Sequence, residues 1–288
     1  MCLKATLPTK SLELSFMMPK PTVVCVPGAW HTPDIYARTL GILEEHGYPT
    51  IGLPLASVGA SPPHMSFDED VKGIRDCLTK LVVEEEKDVV LATHSYAGMP
   101  GAEAPVGLGK KDREAANKKG GVIRLVFIMA YAMPEGFQPT AGGAQFSDWI
   151  KVDMEVSLSV LPICHKSNGF ENGIATVAPD DAKSIFYNDM SSEDGDLWAS
   201  KLYHQSLGVF TSTTSHAAWR YIPSTYVIGT EDQSTFTPEL VSFIIDTAKK
   251  IEPTAFDVVE RCDGGHCLMI SRPEWLADVL RRAAGENV

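Results

Sequence analysis

The chain has 288 residues, 44% of them hydrophobic and 22% charged, with 37 Asp and Glu against 25 Lys and Arg for a formal charge of −12 at neutral pH. This is enough chain for one large α/β domain with a substantial core. So acidic a surface repels phosphate backbones and anionic lipid, which excludes nucleic acid and membrane surfaces as partners and leaves a homodimer open.

Residues 1–20 are expected to form a loosely attached N-terminal arm. Thr22–Val26 is a short β-branched run, the first buried strand. Thr32-Pro33 opens a helix that Gly47 ends, with Ile35, Leu40 and Leu43 on one face. Thr50–Leu53 is a second strand. Ser66 with Glu69 forms a capping box, and Phe67, Val71, Ile74, Leu78 and Leu81 follow at helical spacing. Asp88–Thr93 is the third strand and Val122–Met129 the fourth. Thr225–Ile228 and Phe256–Val259 complete the set. Between those two runs, Thr237-Pro238 opens a helix with Leu240, Phe243 and Ile244 on its apolar face. Ser271 and Glu274 cap a last helix with Leu276, Val279, Leu280 and Ala283 inward. Strands alternating with helices predict a mostly parallel sheet covered on both faces. The core then comprises 21–133 and 223–288. Residues 134–222 carry helix-like and loop-like pieces without a clear core strand, and are expected to form a mainly helical cap over the carboxyl edge of the sheet.

The basic cluster Lys110, Lys111, Arg113, Lys118 and Lys119 is broken by acids and by Gly120-Gly121, so it reads as a solvated loop. The cysteines, Cys2, Cys25, Cys77, Cys164, Cys262 and Cys267, contain no C-x-x-C pair, and indicate neither a disulfide framework nor a zinc site. The N-terminal stretch lacks a continuous apolar leader segment, no run is long enough to span a membrane, and "GENV" is no organelle address. The expected compartment is the reducing cytoplasm.

"ATHSYAG", Ala92–Gly98, follows the third strand directly and places Ser95 at a strand-to-helix turn. G-x-S-x-G is the usual nucleophile elbow, where small residues flank a serine on a strained turn. Here Thr93 and Ala97 replace both glycines, so an ordinary helix-capping serine is the plain alternative. A nucleophile also needs a base and an orienting carboxylate. "YVIGTEDQ" puts Glu231 and Asp232 on the loop after the fifth strand, and "CDGGHC" puts His266 after the sixth. Parallel strands bring these loops to the edge that carries Ser95. Asp232 is preferred over Glu231, which alternates in direction, and over Asp263, on the histidine's own loop.

The other histidines fit the base role less well. His31 is expected at the site mouth, with His46 and His64 near helix ends. His94 should point away from the active-site face, and His165, His204 and His216 lie in the insertion. For an oxyanion, the Tyr96 N–H and the Ala29 N–H of "VPGAWH" are the expected donors, with Gly28 making the turn.

Together, "VPGAWH", "THSYAG", "YVIGTED" and "GGH" resemble the α/β-hydrolase superfamily, over about 22–284. Within it, the chain resembles the plant methylesterase and hydroxynitrile lyase branch with its fungal relatives. The stretches "KKGGVIRLVFIMAYAMPEG" and "HAAWRYIPSTYVIGTED" are similar to uncharacterised fungal members. The resemblance implies the α/β-hydrolase fold, the chain order Ser, Asp, His, and no cofactor or metal. It also implies Ser95 as nucleophile, Asp232 as orienting acid, His266 as base, and Ala29 and Tyr96 as oxyanion donors. Pro27 departs from a frequent family histidine. The lyases have threonine and lysine where this chain has Gly28 and Cys267, which favours ester hydrolysis over cyanohydrin cleavage.

Gly28, Trp30, His31, Trp149, Trp198 and Trp219 are candidate substrate contacts. Phe186, Tyr187, Tyr203 and Phe210 are further candidates for the cap wall, so a substrate with apolar surface is expected. The resulting expectation is a serine hydrolase acting on an ester, lactone or thioester of an apolar small molecule. Acyl transfer, cyclisation or C–C cleavage in a natural-product pathway, and a ligand receptor on the same fold, are the alternatives.

Overall fold

Apolar runs at regular intervals become parallel strands because only a sheet with helices on both faces can bury them completely. The computed structural model describes residues 19–141, 146–154 and 173–288. Most of the expected arm, with Cys2, Cys164 and His165, lies outside the described residues. Strands β1 (Thr22–Val26), β2 (Thr50–Gly52), β3 (Asp88–His94) and β4 (Gly121–Ile128) come first. Then follow β5 (Ile150–Met154), β6 (Gly173–Val177) and β7 (Gln205–Ser206), and finally β8 (Ser224–Gly229) and β9 (Val258–Cys262). One sheet has the order β2-β1-β3-β4-β8-β9, parallel throughout. β1 and β8 are buried along their whole length. The strand order reverses between β1 and β3, so a crevice opens at their carboxyl ends, the usual ligand position in such sheets.

The helices are α1 (Ala37–Glu45), α2 (Asp68–Thr79), α3 (Gly98–Glu103), α4 (Lys110–Ala115), α5 (Pro179–Phe186), α6 (Ser192–Ala199), α7 (Pro238–Ile251), α8 (Leu268–Ser271) and α9 (Pro273–Ala283). Thr237 caps α7 by accepting from the Leu240 N–H. Neither expected capping box forms. α2 starts at Asp68, and Ser66 Oγ accepts the Asp68 N–H at 3.2 Å with no reciprocal bond from Glu69. Ser271 ends α8 instead of capping α9, and Glu274 turns to Arg38. The inward face of α7 is Val241, Ile244, Ile245 and Ala248, leaving Phe243 in solvent. β9 begins two residues later than expected, because Phe256 takes a left-handed turn with φ 49° and packs its ring on Phe127 and Tyr226.

Between β4 and β8, α5 and α6 accompany an antiparallel sheet β5-β6-β7. Sequence reading missed these strands, although "IKVDM" alternates with the period of a half-buried strand. Polar bonds tie the region to the core. Trp30 Nε1 donates to the Ala175 carbonyl at 3.0 Å, the Tyr203 N–H to that of Trp30 at 2.9 Å, and the Ser206 N–H to that of Ser57 at 3.1 Å. Among the described residues no helix is long and apolar enough to cross a membrane.

Candidate active site

β3 ends at His94, and Ser95 starts a tight turn into α3 with φ 54°. A left-handed residue bearing a side chain costs about 1–3 kcal/mol, which surrounding structure must hold in place. The elbow closes although both usual glycines are replaced. Gly101, one helical turn on, supplies the missing space, since a Cβ there would collide with the Thr93 methyl. Gly28 does the same from the facing loop, where a Cβ would lie 2.7 Å from Ser95 Cβ. Gly28 thus makes room for the elbow and does not itself line the cleft.

His266, on the loop after β9, directs Nδ1 at Asp232 Oδ2, on the loop after β8, at 2.7 Å, and both side chains are almost wholly buried. Ser234 Oγ sits 3.1 Å from the same nitrogen, and the Ser234 N–H donates to the other Asp232 oxygen. A carboxylate partner places the proton on Nδ1 and leaves the Nε2 lone pair free. Phe236 stacks on the imidazole with ring centroids 5.8 Å apart, and Phe186 lies at 5.4 Å.

The loop after β1 makes a turn closed by the His31 N–H and the Gly28 carbonyl at 3.3 Å, with Trp30 at φ 67° in the position that needs positive φ. Two neutral histidines hold this turn. His31 Nδ1–H donates to the Ala29 carbonyl at 2.8 Å, and its Nε2 accepts from the Tyr187 hydroxyl at 2.9 Å. Burial above all lowers its pKa to about 4. His94 Nδ1 accepts the Gly28 N–H at 3.3 Å, and its Nε2–H donates to the His266 carbonyl at 3.1 Å. Burial, then the neighbouring His266 and His31, hold His94 well below the ordinary histidine range. Tyr96, following Ser95, donates its hydroxyl to buried Asp70 at 2.7 Å. Burial raises the Asp70 carboxyl, opposed by hydrogen bonds from Ser57 and Tyr96.

A cleft of about 720 Å³, its open mouth included, unites these parts. Ser95, His266, Ala29 and Tyr96 all line it. Among the described residues, the Ala29 and Tyr96 N–H groups have no hydrogen-bond acceptor. Ser95 Oγ and His266 Nε2 likewise have no partner among them, so the two atoms share the cleft without a direct hydrogen bond. The rest of the wall is mainly aromatic, from Trp30, Phe146, Trp149, Phe186, Phe210 and Phe236, with the hydroxyls of Thr140, Ser147, Ser234 and Thr235 between.

The model of the Alpha/beta hydrolase family matches residues 23–279. The chain belongs to the alpha/beta hydrolase family. It is 32% identical over 271 residues to "Alpha/beta hydrolase nvfD" of Aspergillus novofumigatus, covering 94% of this chain and 99% of that protein. It is 28% identical over 272 residues to "Probable hydrolase R7" of a Phoma species, covering 93% and 100%. Among solved structures it is similar to methylesterase MES16 from Arabidopsis, with a TM-score of 0.66 at 17% identity, covering 92% and 99%.

In this hydrolase, several sequence-predicted residues stand elsewhere than expected. His31 lies behind the cleft wall, drawn inward by its bonds to Ala29 and Tyr187. Trp219 is buried in the core, where Nε1 donates to the Met133 carbonyl at 3.3 Å. Trp198 lies beneath the Lys201 ammonium, and Tyr203 is exposed. Tyr187 backs His31 and is not on the wall. His94 does not turn away from the site machinery. It joins the turn after β1 to the loop that bears His266 from behind. Trp30 and Trp149 do line the cleft. Sequence reading missed Ser234 and Phe236, which the preference for Asp232 could have flagged by proximity. It also missed the contacts of Asn188 and Asp189, for which no sequence signal exists.

Proposed function

We propose that this alpha/beta hydrolase is a serine esterase that cleaves a carboxylic ester, lactone or thioester of a neutral, largely apolar small molecule. Rotation about Ser95 χ1 directs Oγ at His266 Nε2, which takes the proton as Oγ attacks the carbonyl carbon. The developing oxyanion is held by the Ala29 and Tyr96 N–H groups, and Asp232 stabilises the imidazolium. Collapse breaks the bond from the carbonyl carbon to the alkoxy oxygen, or to sulfur in a thioester, and His266 gives its proton to the departing alcohol or thiol. Water, deprotonated by His266, then attacks the acyl-serine. The acid leaves and Ser95 regains its proton.

One observation carries the reading: a left-handed serine, two N–H groups without an acceptor among the described residues, and a carboxylate-paired imidazole border one cleft. Uncharged aromatic walls favour an apolar substrate. The methylesterase name of the Arabidopsis neighbour makes methyl and short alkyl esters the first class to assay. Ser95→Ala is expected to lower kcat by roughly 10³- to 10⁶-fold with the fold intact. A fluorophosphonate probe should label Ser95 and nothing in the variant. Turnover at the wild-type rate in Ser95→Ala ends the proposal. Product analysis with an added alcohol acceptor separates hydrolysis from acyl transfer, and labelling without turnover on any ester favours a receptor.

A further inference from the structure

Four consecutive cap residues each reach a different part of the site. α5 ends at Phe186, whose ring lies 5.4 Å from that of His266. The Tyr187 hydroxyl donates to His31 at 2.9 Å, and His31 in turn grips the Ala29 carbonyl after β1. Asn188 Nδ2 donates to the Glu231 carbonyl at 2.8 Å, one residue before Asp232, after β8. Asp189 Oδ2 accepts the Gly265 N–H at 2.7 Å, one residue before His266, after β9. Loops from three strands are therefore bonded, directly or through His31, to one short segment.

Asp189 is a poor residue for stability alone. Its side chain is only 7% exposed, and Oδ1 has no hydrogen-bond partner among the described residues. Its cationic neighbour, Arg272, stands 3.6 Å from Oδ2 and is also engaged by Asp263. A buried carboxylate oxygen without a donor is destabilising. The segment also presses on bare backbone: a Cβ at Gly265 would lie 2.7 Å from Asn188 Oδ1 and 2.8 Å from Asp189 Oδ1. The Gly264-Gly265 pair admits a clamp at its second glycine.

We infer that Tyr187, Asn188 and Asp189 are positioning residues that hold the loops bearing Ala29, Asp232 and His266 in one register. The cap then assembles the reacting groups as well as walling the substrate. The inference rests on the serine-esterase reading above. Catalytic groups must be held within about 0.5 Å of productive geometry, and directional bonds at the residues adjoining Asp232 and His266 set that distance.

The test uses Asp189→Ala, Asp189→Asn and Tyr187→Phe in the full chain. It measures kcat and KM on p-nitrophenyl butyrate, Ser95 labelling by fluorophosphonate, and the proton NMR signal of His266 Nδ1–H. In Asp189→Ala, kcat and labelling rate are expected to fall about 10- to 100-fold with KM nearly constant, and the Nδ1–H signal to move. Asp189→Asn, which keeps an acceptor for Gly265, should recover most of the loss. Wild-type kcat with an unmoved signal in Asp189→Ala overturns the inference, as does a loss carried by KM alone or no recovery in Asp189→Asn. If Asp189→Ala does not fold, Tyr187→Phe decides: a several-fold lower kcat supports the clamp, and an unchanged one overturns it. If Ser95→Ala keeps its turnover, the esterase reading fails, while the Nδ1–H signal still reports whether the clamp sets the Asp232–His266 pair.

Discussion

The central sheet and the cap are held in different ways. β1, β3, β4 and β8 are largely buried and centred on Val, Ile and Leu, and much of their stability comes from removing apolar surface from water, which has no preferred direction. The cap also packs apolar side chains into that core, Phe186, Leu207, Val209 and Trp219 among them, but near the site it adds directional bonds, from Trp30 to Ala175, Tyr203 to Trp30, Asn188 to Glu231 and Asp189 to Gly265. The sheet decides which loops share an edge. Hydrogen bonds with narrow distance and angle preferences decide where on that edge each atom stands. Changes in core-borne reacting groups should therefore affect every substrate alike, and changes in the cap wall should discriminate among them.

Asp232→Asn is the largest expected effect among changes that spare the nucleophile. The amide favours the wrong imidazole tautomer, because its NH₂ donates to Nδ1 and forces the proton onto Nε2. A fall in kcat of about 10³- to 10⁴-fold, equal for acetate and bulky aryl esters, is expected from steady-state kinetics. A loss confined to bulky esters would contradict the division between core and cap.

The histidines behind the site give the next effect. The folded pKa of His31 lies at about 4, below its ordinary 6.5, so the unfolded chain binds the proton between those values. Stability from His31 is then fully present above about pH 6.5 and lost as pH falls toward 4, on the order of 3 kcal/mol. His94 acts in the same direction. Thermal unfolding from pH 7 to 4 should show Tm falling steeply in the wild type and less steeply in His31→Gln. Equal slopes would mean that His31 is not held neutral.

The parts of the site that directly follow sheet strands were legible in sequence because they depend on chain order alone. Ser95, Asp232 and His266 each follow a recognisable apolar run, and parallel strands deliver their carboxyl ends to one edge. Residues whose roles depend on tertiary neighbours were not legible. Trp149 and Trp219 are the same residue type in the same insertion, yet one lines the cleft and the other fills the core. His31 reads as a mouth residue until Tyr187 and Ala29 are seen to draw it inward. The capping boxes failed because Phe67 and Arg272 took the cap positions, one residue beyond each serine.

The displaced elbow glycine can be tested within the core. Gly101→Ala should destabilise by about 1–3 kcal/mol, because Thr93 is stiff and buried and cannot yield. Thr93→Gly in the same chain removes the obstructing methyl and restores the usual elbow spacing. It should recover much of the loss, less the 0.5–1 kcal/mol or so that glycine costs in a strand. Denaturant unfolding of both singles and the double gives the coupling, and simple additivity would show that Gly101 does not compensate for Thr93.

The smallest effect belongs to the cap wall. Trp149 packs edge-on against Trp30, with ring centroids 5.7 Å apart, and against Phe186 at 5.4 Å. Trp149→Ala removes one aromatic face but no hydrogen bond of the turn after β1 or of the Asp232–His266 pair, and Trp30 and Phe186 still close part of the wall. A substrate that reaches the wall should lose about tenfold in kcat/KM, and an acetate ester too short to touch it should change little. Equal losses on both would place Trp149 with the positioning residues instead, since a wall that only contacts substrate has no means of slowing one that never reaches it.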